Sequence, residues 1–217
     1  SNVNIEGENE QITIIDADPF LDGMPSRRVF TMENCNNNTI SGITIAGGLT
    51  EYSNISSYSH KYGAGMYLSY SNPILTHVTF TNNTSVSYGG GMYLKNSNPT
   101  LTHVTISNNT AGFGGGGMYL KNSNPTLTHV TITNNTGGQL FDEYSPGGGM
   151  YLINSNPILT HVTITNNTAP YGGGMLFEGS NPILTHVTIT DNFAGEDGGG
   201  MVLYSSNPTL THVTITN

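Results

Sequence analysis

The sequence predicts an all-β chain folded as a parallel β-helix, a solenoid of about eight coils, and two observations predict it. A unit of about 26 residues recurs along the 217-residue chain, and within each unit apolar and polar residues alternate with the period of a β-strand. The tripeptide Thr-His-Val marks the repeat, with His77, His103, His129, His161, His186 and His212 spaced 26, 26, 32, 25 and 26 residues apart. Met66, Met92, Met118, Met150, Met175 and Met201 follow Gly-rich stretches at the same spacings. Units this short cannot bury an apolar face alone, so they stack and bury a shared core between neighbours.

The chain reads as one domain over 1–217. Divergent coils occupy 1–48, where Phe30-Thr31-Met32-Glu33-Asn34 and Ile40-Ser41-Gly42-Ile43-Thr44-Ile45 are looser copies of the unit. A loop insertion spans 49–62, and six regular coils with the consensus GGGMYLKNSNPTLTHVTITNNT fill 63–217. Each regular coil predicts three short strands. In the first, Met92 and Leu94 point inward while Tyr93 and Lys95 point outward. An Asn-Ser-Asn-Pro corner follows, and Pro99 opens the second strand, where a missing N–H is tolerated. Alternation then fails, because Thr102 and His103 both stand between the inward Leu101 and Val104. That failure predicts a bend at the His, and Gly42 at the same place in the early copy agrees with one.

Val104 and Ile106 point inward from the third strand, and Thr105 and Ser107 outward. Asn83, Asn109, Asn135 and Asn167 end that strand and predict a ladder of amides bonded along the axis. The last corner is variable, with inserts of 4, 4, 10, 3 and 4 residues at 85–88, 111–114, 137–146, 169–171 and 194–197. At ~4.8 Å per coil, eight coils make a rod roughly 40 Å long.

Only 9% of the residues are charged, against about a quarter in average soluble proteins. A solenoid explains the deficit, since a charge copied into every coil repels itself every ~4.8 Å. The formal net charge is −9, from 14 acids and 5 bases, with no Lys/Arg cluster to follow a phosphate backbone; nucleic acid is excluded as a partner. No apolar run approaches the ~20 residues that cross a bilayer, so no membrane insertion is expected. The lone Cys35 leaves no internal disulfide.

The GGGM stretch paired with Phe80-Thr81-Asn82-Asn83 or Ile106-Ser107-Asn108-Asn109 resembles the GGA[I/L/V] and FxxN repeats of polymorphic outer-membrane-protein passenger domains. More broadly, residues 28 to 217 resemble the secreted right-handed parallel β-helix repeats of bacterial surface proteins. The resemblance implies a right-handed helix, export, and display at the cell surface. It leaves the function open among adhesins, polysaccharide-degrading enzymes and structural rods.

The residues themselves offer several candidate sites. An outward Thr-x-Thr array (Thr79, Thr81, Thr105, Thr131, Thr133, Thr163, Thr165, Thr188, Thr190, Thr214, Thr216) is similar to the ice-binding face of β-solenoid antifreeze proteins, or is simply a good solvent-facing strand surface. Tyr67, Tyr93, Tyr119 and Tyr151 predict an outward aromatic stack, a platform for sugars or a cross-strand pairing ladder. Variable corners supply an aromatic edge with Tyr52, Tyr58, Tyr62, Tyr88, Phe141, Tyr144 and Tyr171 as the binding candidates.

The His column reads as corner packing, because imidazoles ~4.8 Å apart cannot share an ion at ~2.0–2.1 Å without adjustment. Calcium has two candidate acid sets, Asp16, Asp18 and Asp22, or Asp191, Glu196 and Asp197; no other cofactor is expected. Asn37, Asn54, Asn82, Asn108, Asn134 and Asn166 head N-glycosylation sequons. No recurring pair of carboxylates or basic residue marks a catalytic centre, so the expectation is a non-enzymatic extracellular rod. Its partners would be itself, by end-to-end stacking or as part of a longer solenoid, and surface glycans or proteins.

Overall fold

The computed structural model describes residues 4–17, 27–50, 61–138 and 146–216. Among them the secondary structure is β-strand in stacked parallel coils, and one coil shows why. Strand β8 (Met92–Lys95) leads through a corner to β9 (Thr100–Thr102), which bends into β10 (Thr105–Ser107), and a fourth, two-residue strand β11 (Thr110–Ala111) follows the Asn corner. That fourth strand lies where the sequence predicts only a variable corner. Thr110 and Ala111 pair in register with Thr84 and Ser85 below and Thr136 and Gly137 above, so the first insert residues are part of the scaffold.

Three parallel sheets result among the described residues. The first strands of successive coils, β3 (Phe30–Glu33), β5 (Met66–Ser69), β8, β12 (Met118–Lys121), β16 (Met150–Ile153), β20 (Met175–Glu178) and β24 (Met201–Tyr204), form one sheet. Second and third strands share another, because β4 (Asn36–Ala46) and β6 (Asn72–Thr81) run unbroken through the bend. The two-residue strands form the third. Two short strands, β1 (Ile5–Glu6) and β2 (Ile14–Asp16), pair with β4 and make the first coil.

Register is residue for residue. Met66 lies beside Met92, Met92 beside Met118, and the column continues to Met201. Leu75 to Leu210 and Phe80 to Ile215 stack in the same way. These columns, with the Val column, are the core, and its residues from Met66 to Ile189 are almost fully excluded from water.

Each corner is a residue of positive φ. His77, His103, His129, His161, His186 and His212 have φ between 51° and 53°, with Gly42 at 64° in the same column, which confirms the bend. Asn82, Asn108, Asn134, Asn166 and Asp191 make the next corner, and Gly89 with its equivalents makes the one before the Met. Only glycine fits there: a Cβ on Gly89 would lie 2.4 Å from the Met92 carbonyl oxygen.

Two polar ladders run through the interior. Asn83, Asn109, Asn135 and Asn167 are fully buried, and each Nδ2 donates to the Oδ1 of the Asn one coil on, at 2.9–3.0 Å, ending on Asn192. Their backbone N–H groups donate to the same oxygens, so every buried amide is satisfied. A second ladder was not anticipated. The N–H of Ser71 donates to Ser97 Oγ, Ser97 to Ser123, Ser123 to Ser155, Ser155 to Ser180 and Ser180 to Ser206, all at 3.0 Å. The serine present in every Asn-Ser-Asn or equivalent corner was its sequence signal.

Candidate functional surfaces

Outward columns on the sheet that holds the bend carry the Thr array. Thr79, Thr105, Thr131, Thr163, Thr188 and Thr214 are in register, and beside them Thr81, Ser107, Thr133, Thr165, Thr190 and Thr216. All point away from the core and are half-buried by their neighbours or, at Thr214 and Thr216, exposed. The hydroxyls touch only loosely, Ser107 to Thr81 at 3.4 Å and Thr190 to Thr165 at 3.5 Å, leaving hydrogen-bonding capacity outward.

The first-strand tyrosines correct an expectation. Tyr67, Tyr93, Tyr119 and Tyr151 leave the main core as predicted, yet they are only 4–6% exposed, because residues of the variable corners fold over them. Tyr62 stacks on Tyr93 at 4.7 Å, Tyr88 lies tilted against Tyr119 at 4.6 Å, and Tyr171 packs against the same cluster. The stack is therefore a second hydrophobic core rather than a sugar platform. Its edge-binding candidates Tyr62, Tyr88 and Tyr171 are half-buried in that packing.

Arg28 closes one end of the stack. Its guanidinium lies 4.7 Å from the Tyr67 ring centroid and donates to the carbonyls of Tyr62 and Gly63 and to Thr31 Oγ1. Burial pushes its pKa down to about 10, still high enough to leave it charged at neutral pH. At the other end the Tyr151 hydroxyl donates to Glu178 Oε1 at 2.7 Å, and the Tyr151 ring turns edge-on to Tyr119. Burial raises the pKa of Tyr93, Tyr119 and Tyr151, Tyr151 also through the bond to Glu178.

Where the longest insert joins the rod, a groove of about 690 Å³ is lined by Thr136 to Gly138, Thr168 to Tyr171, Phe193, Gly195 and Glu196. Phe193 is 64% exposed. The sequence offers Glu196 only as a calcium candidate; the pairing of β19 (Thr168–Tyr171) with β23 (Phe193–Asp197) puts it on one surface with Tyr171 and Phe193. Tyr52, Tyr58, Phe141 and Tyr144 lie outside the described residues, as do Asp18, Asp22 and Asn54.

Of the first calcium candidate set only Asp16, exposed on β2, is among the described residues. Among those residues no three His, Cys, Asp or Glu side chains group to hold a metal, so Asp191, Glu196 and Asp197 are not brought together. Asp191 instead occupies the left-handed corner that Asn82 fills elsewhere, with φ 54°. Asn37, Asn82, Asn108, Asn134 and Asn166 are exposed.

The His column occupies the second corner of each regular coil. Its six side chains are exposed and stack on one another, with successive ring centroids 4.7–5.0 Å apart and planes within 13° of parallel. The coil at 201–216 pairs with the coil at 175–190. Leu210 and Ile215, whose equivalents Leu184 and Ile189 are fully buried, are 47% and 45% exposed.

With stacked parallel coils and three curled sheets in view, the family model for the right-handed β-helix region matches residues 24–143 and 140–217. The chain belongs to the right-handed β-helix family. No curated protein matches this β-helix at a significant level. Among solved structures, the plasmid-mediated fluoroquinolone resistance protein QnrB1 is similar over 94% of this chain and 92% of that one, at 15% identity. The TM-score is 0.18, too low for that likeness to bear on the β-helix or its role. Among the described residues, no helix is long and apolar enough to cross a membrane.

Proposed function

We propose that this β-helix is a non-catalytic structural and adhesive rod of the cell exterior, extended by stacking coils of the same repeat along its axis. The observation that carries the reading is that each internal coil pairs its strands and buries its core through the coils on either side of it, β16 between β12 and β20 for example. Coils of a second copy can supply the same contacts, and a head-to-tail contact of this kind does not close on itself and so builds filaments. The resemblance to surface-displayed passenger repeats and the exposed sequon asparagines support an exterior location. The adhesive role we assign to the groove beside Tyr171, Phe193 and Glu196, for cell-surface glycans.

Sedimentation velocity and electron microscopy across a concentration range test the assembly. Rods that lengthen with concentration, and that shorten to single units in a Leu210→Asp/Ile215→Asp variant, are expected; a wild-type chain that stays monomeric throughout overturns it. A glycan array, with Phe193→Ala as control, tests the adhesive part.

A second reading, ice binding, is favoured by the two outward Thr columns kept in register over six coils. Thermal hysteresis that disappears on Thr131→Lys/Thr163→Lys substitution is its expected result; no hysteresis in the wild-type chain rejects it.

A further inference from the structure

Every regular coil places a histidine at its second corner, and the backbone does not explain that choice. A left-handed residue is needed there, but two other corner columns meet the same need with other residues. The corner after the first strand holds Tyr70, Asn96, Asn122, Asn154, Gly179 and Ser205, and the third holds Asn or Asp191. Glycine or asparagine adopts this conformation at least as readily as histidine. Burial in a core does not explain it either, since all six rings are exposed and stacked on one another along the rod. Among the described residues no side chain hydrogen-bonds an imidazole nitrogen, so both nitrogens of each ring remain available.

We propose that the His column binds divalent transition-metal ions of the imidazole-preferring class, Cu²⁺, Ni²⁺ or Zn²⁺, each held between the rings of two successive coils. Two imidazole nitrogens at ~2.0–2.1 Å from one tetrahedral ion lie roughly 3.3 Å from each other. Ring centroids lie 5.0 Å apart with planes nearly parallel, so the lone pairs point side by side, and both exposed side chains must rotate by roughly 55° to bring one nitrogen of each onto a shared ion. Water completes the coordination, consistent with the absence of any three-residue metal group among the described residues. All-nitrogen ligands of this kind select these metals over Mg²⁺ and Ca²⁺.

Six rings make three separate pairs, so up to three ions bind per chain. Pairing also requires the fold, because successive histidines are 25 to 32 residues apart in the chain and meet only when coils stack. Binding therefore stabilises the folded rod by mass action.

Two triple variants of the full chain separate paired from single-ring binding. His103→Asn/His161→Asn/His212→Asn leaves His77, His129 and His186, no two of them neighbours. His77→Asn/His103→Asn/His129→Asn leaves His161, His186 and His212 in one run. Both retain the same number of histidines, and asparagine is already the residue of the neighbouring left-handed column.

Calorimetric titration with Ni²⁺ is expected to give up to three ions for the wild-type chain and one of similar affinity for the contiguous variant. The alternating variant should bind at least about tenfold more weakly, the loss of a two-point attachment. Equal binding by the two variants, or no Ni²⁺ binding by the wild-type chain, overturns the proposal. If either variant fails to fold by circular dichroism, electron paramagnetic resonance of the wild-type chain with sub-stoichiometric Cu²⁺ decides: two coordinated imidazoles support the proposal and one overturns it.

Discussion

Leu184 and Leu210 occupy the same position one coil apart, with the same neighbours in sequence, yet one is fully buried and the other 47% exposed. Ile189 and Ile215 differ in the same way. What separates each pair is the coil above, which residues 209–216 supply for 183–190. A coil of this rod therefore has half a core of its own, and stability is a sum of contacts between neighbouring coils. The polar ladders follow the same rule. Asn135 both accepts from Asn109 and donates to Asn167, whereas Asn192 ends the run.

Substitutions in the two regions sharpen the contrast, the largest effect coming first. Asn135→Ala removes the acceptor for two buried donors on Asn109 and the donor to Asn167 and Ile106. At about 1–3 kcal/mol for each group left unsatisfied, a loss of roughly 2–6 kcal/mol is expected in chemical denaturation. Little change there would mean that the amide ladder is not what fixes the corner. Leu184→Ala should cost about 2–5 kcal/mol, the usual range for a fully buried leucine.

The tyrosine stack provides an intermediate effect that depends on pH. Tyr93, Tyr119 and Tyr151 have folded-state pKa values raised above the unfolded value near 10, so the folded state favours the protonated ring. Their contribution is complete below about pH 10 and is lost as pH rises beyond it, when the unfolded chain ionises and the folded one does not. Tyrosinate absorbance should show these three rings ionising together with the loss of β-structure. Ionisation of all twelve tyrosines near pH 10 with the fold intact would contradict their burial. Smallest of all, Leu210→Ala in dilute protein should shift the thermal midpoint little, well under the effect at Leu184.

Most of the fold is legible in the residues because a repeat writes the same instruction six times. The inward Met, Leu, Val and Ile columns, the bend at His103 and the Asn109 ladder follow from period and alternation alone. The Ser97 ladder was missed because a serine in a turn reads as turn chemistry, and only the stacked coil reveals an acceptor above each N–H. Tyr93 was read as solvent-facing because alternation reports which side of a strand a residue takes. It does not report what the variable corner lays over that side. Tyr62 and Tyr88 do the covering, from segments whose sequences do not repeat. Asp191, Glu196 and Asp197 are separated for a related reason: nearness in sequence leaves Asp191 on a corner and the other two on the next strand.

The most direct test of axial stacking is hydrogen exchange of the two coils as protein concentration rises. Amides of 209–216 should exchange fast in dilute solution and become protected as rods form, while those of 183–190 stay protected throughout. Protection of 209–216 that is independent of concentration would contradict the account.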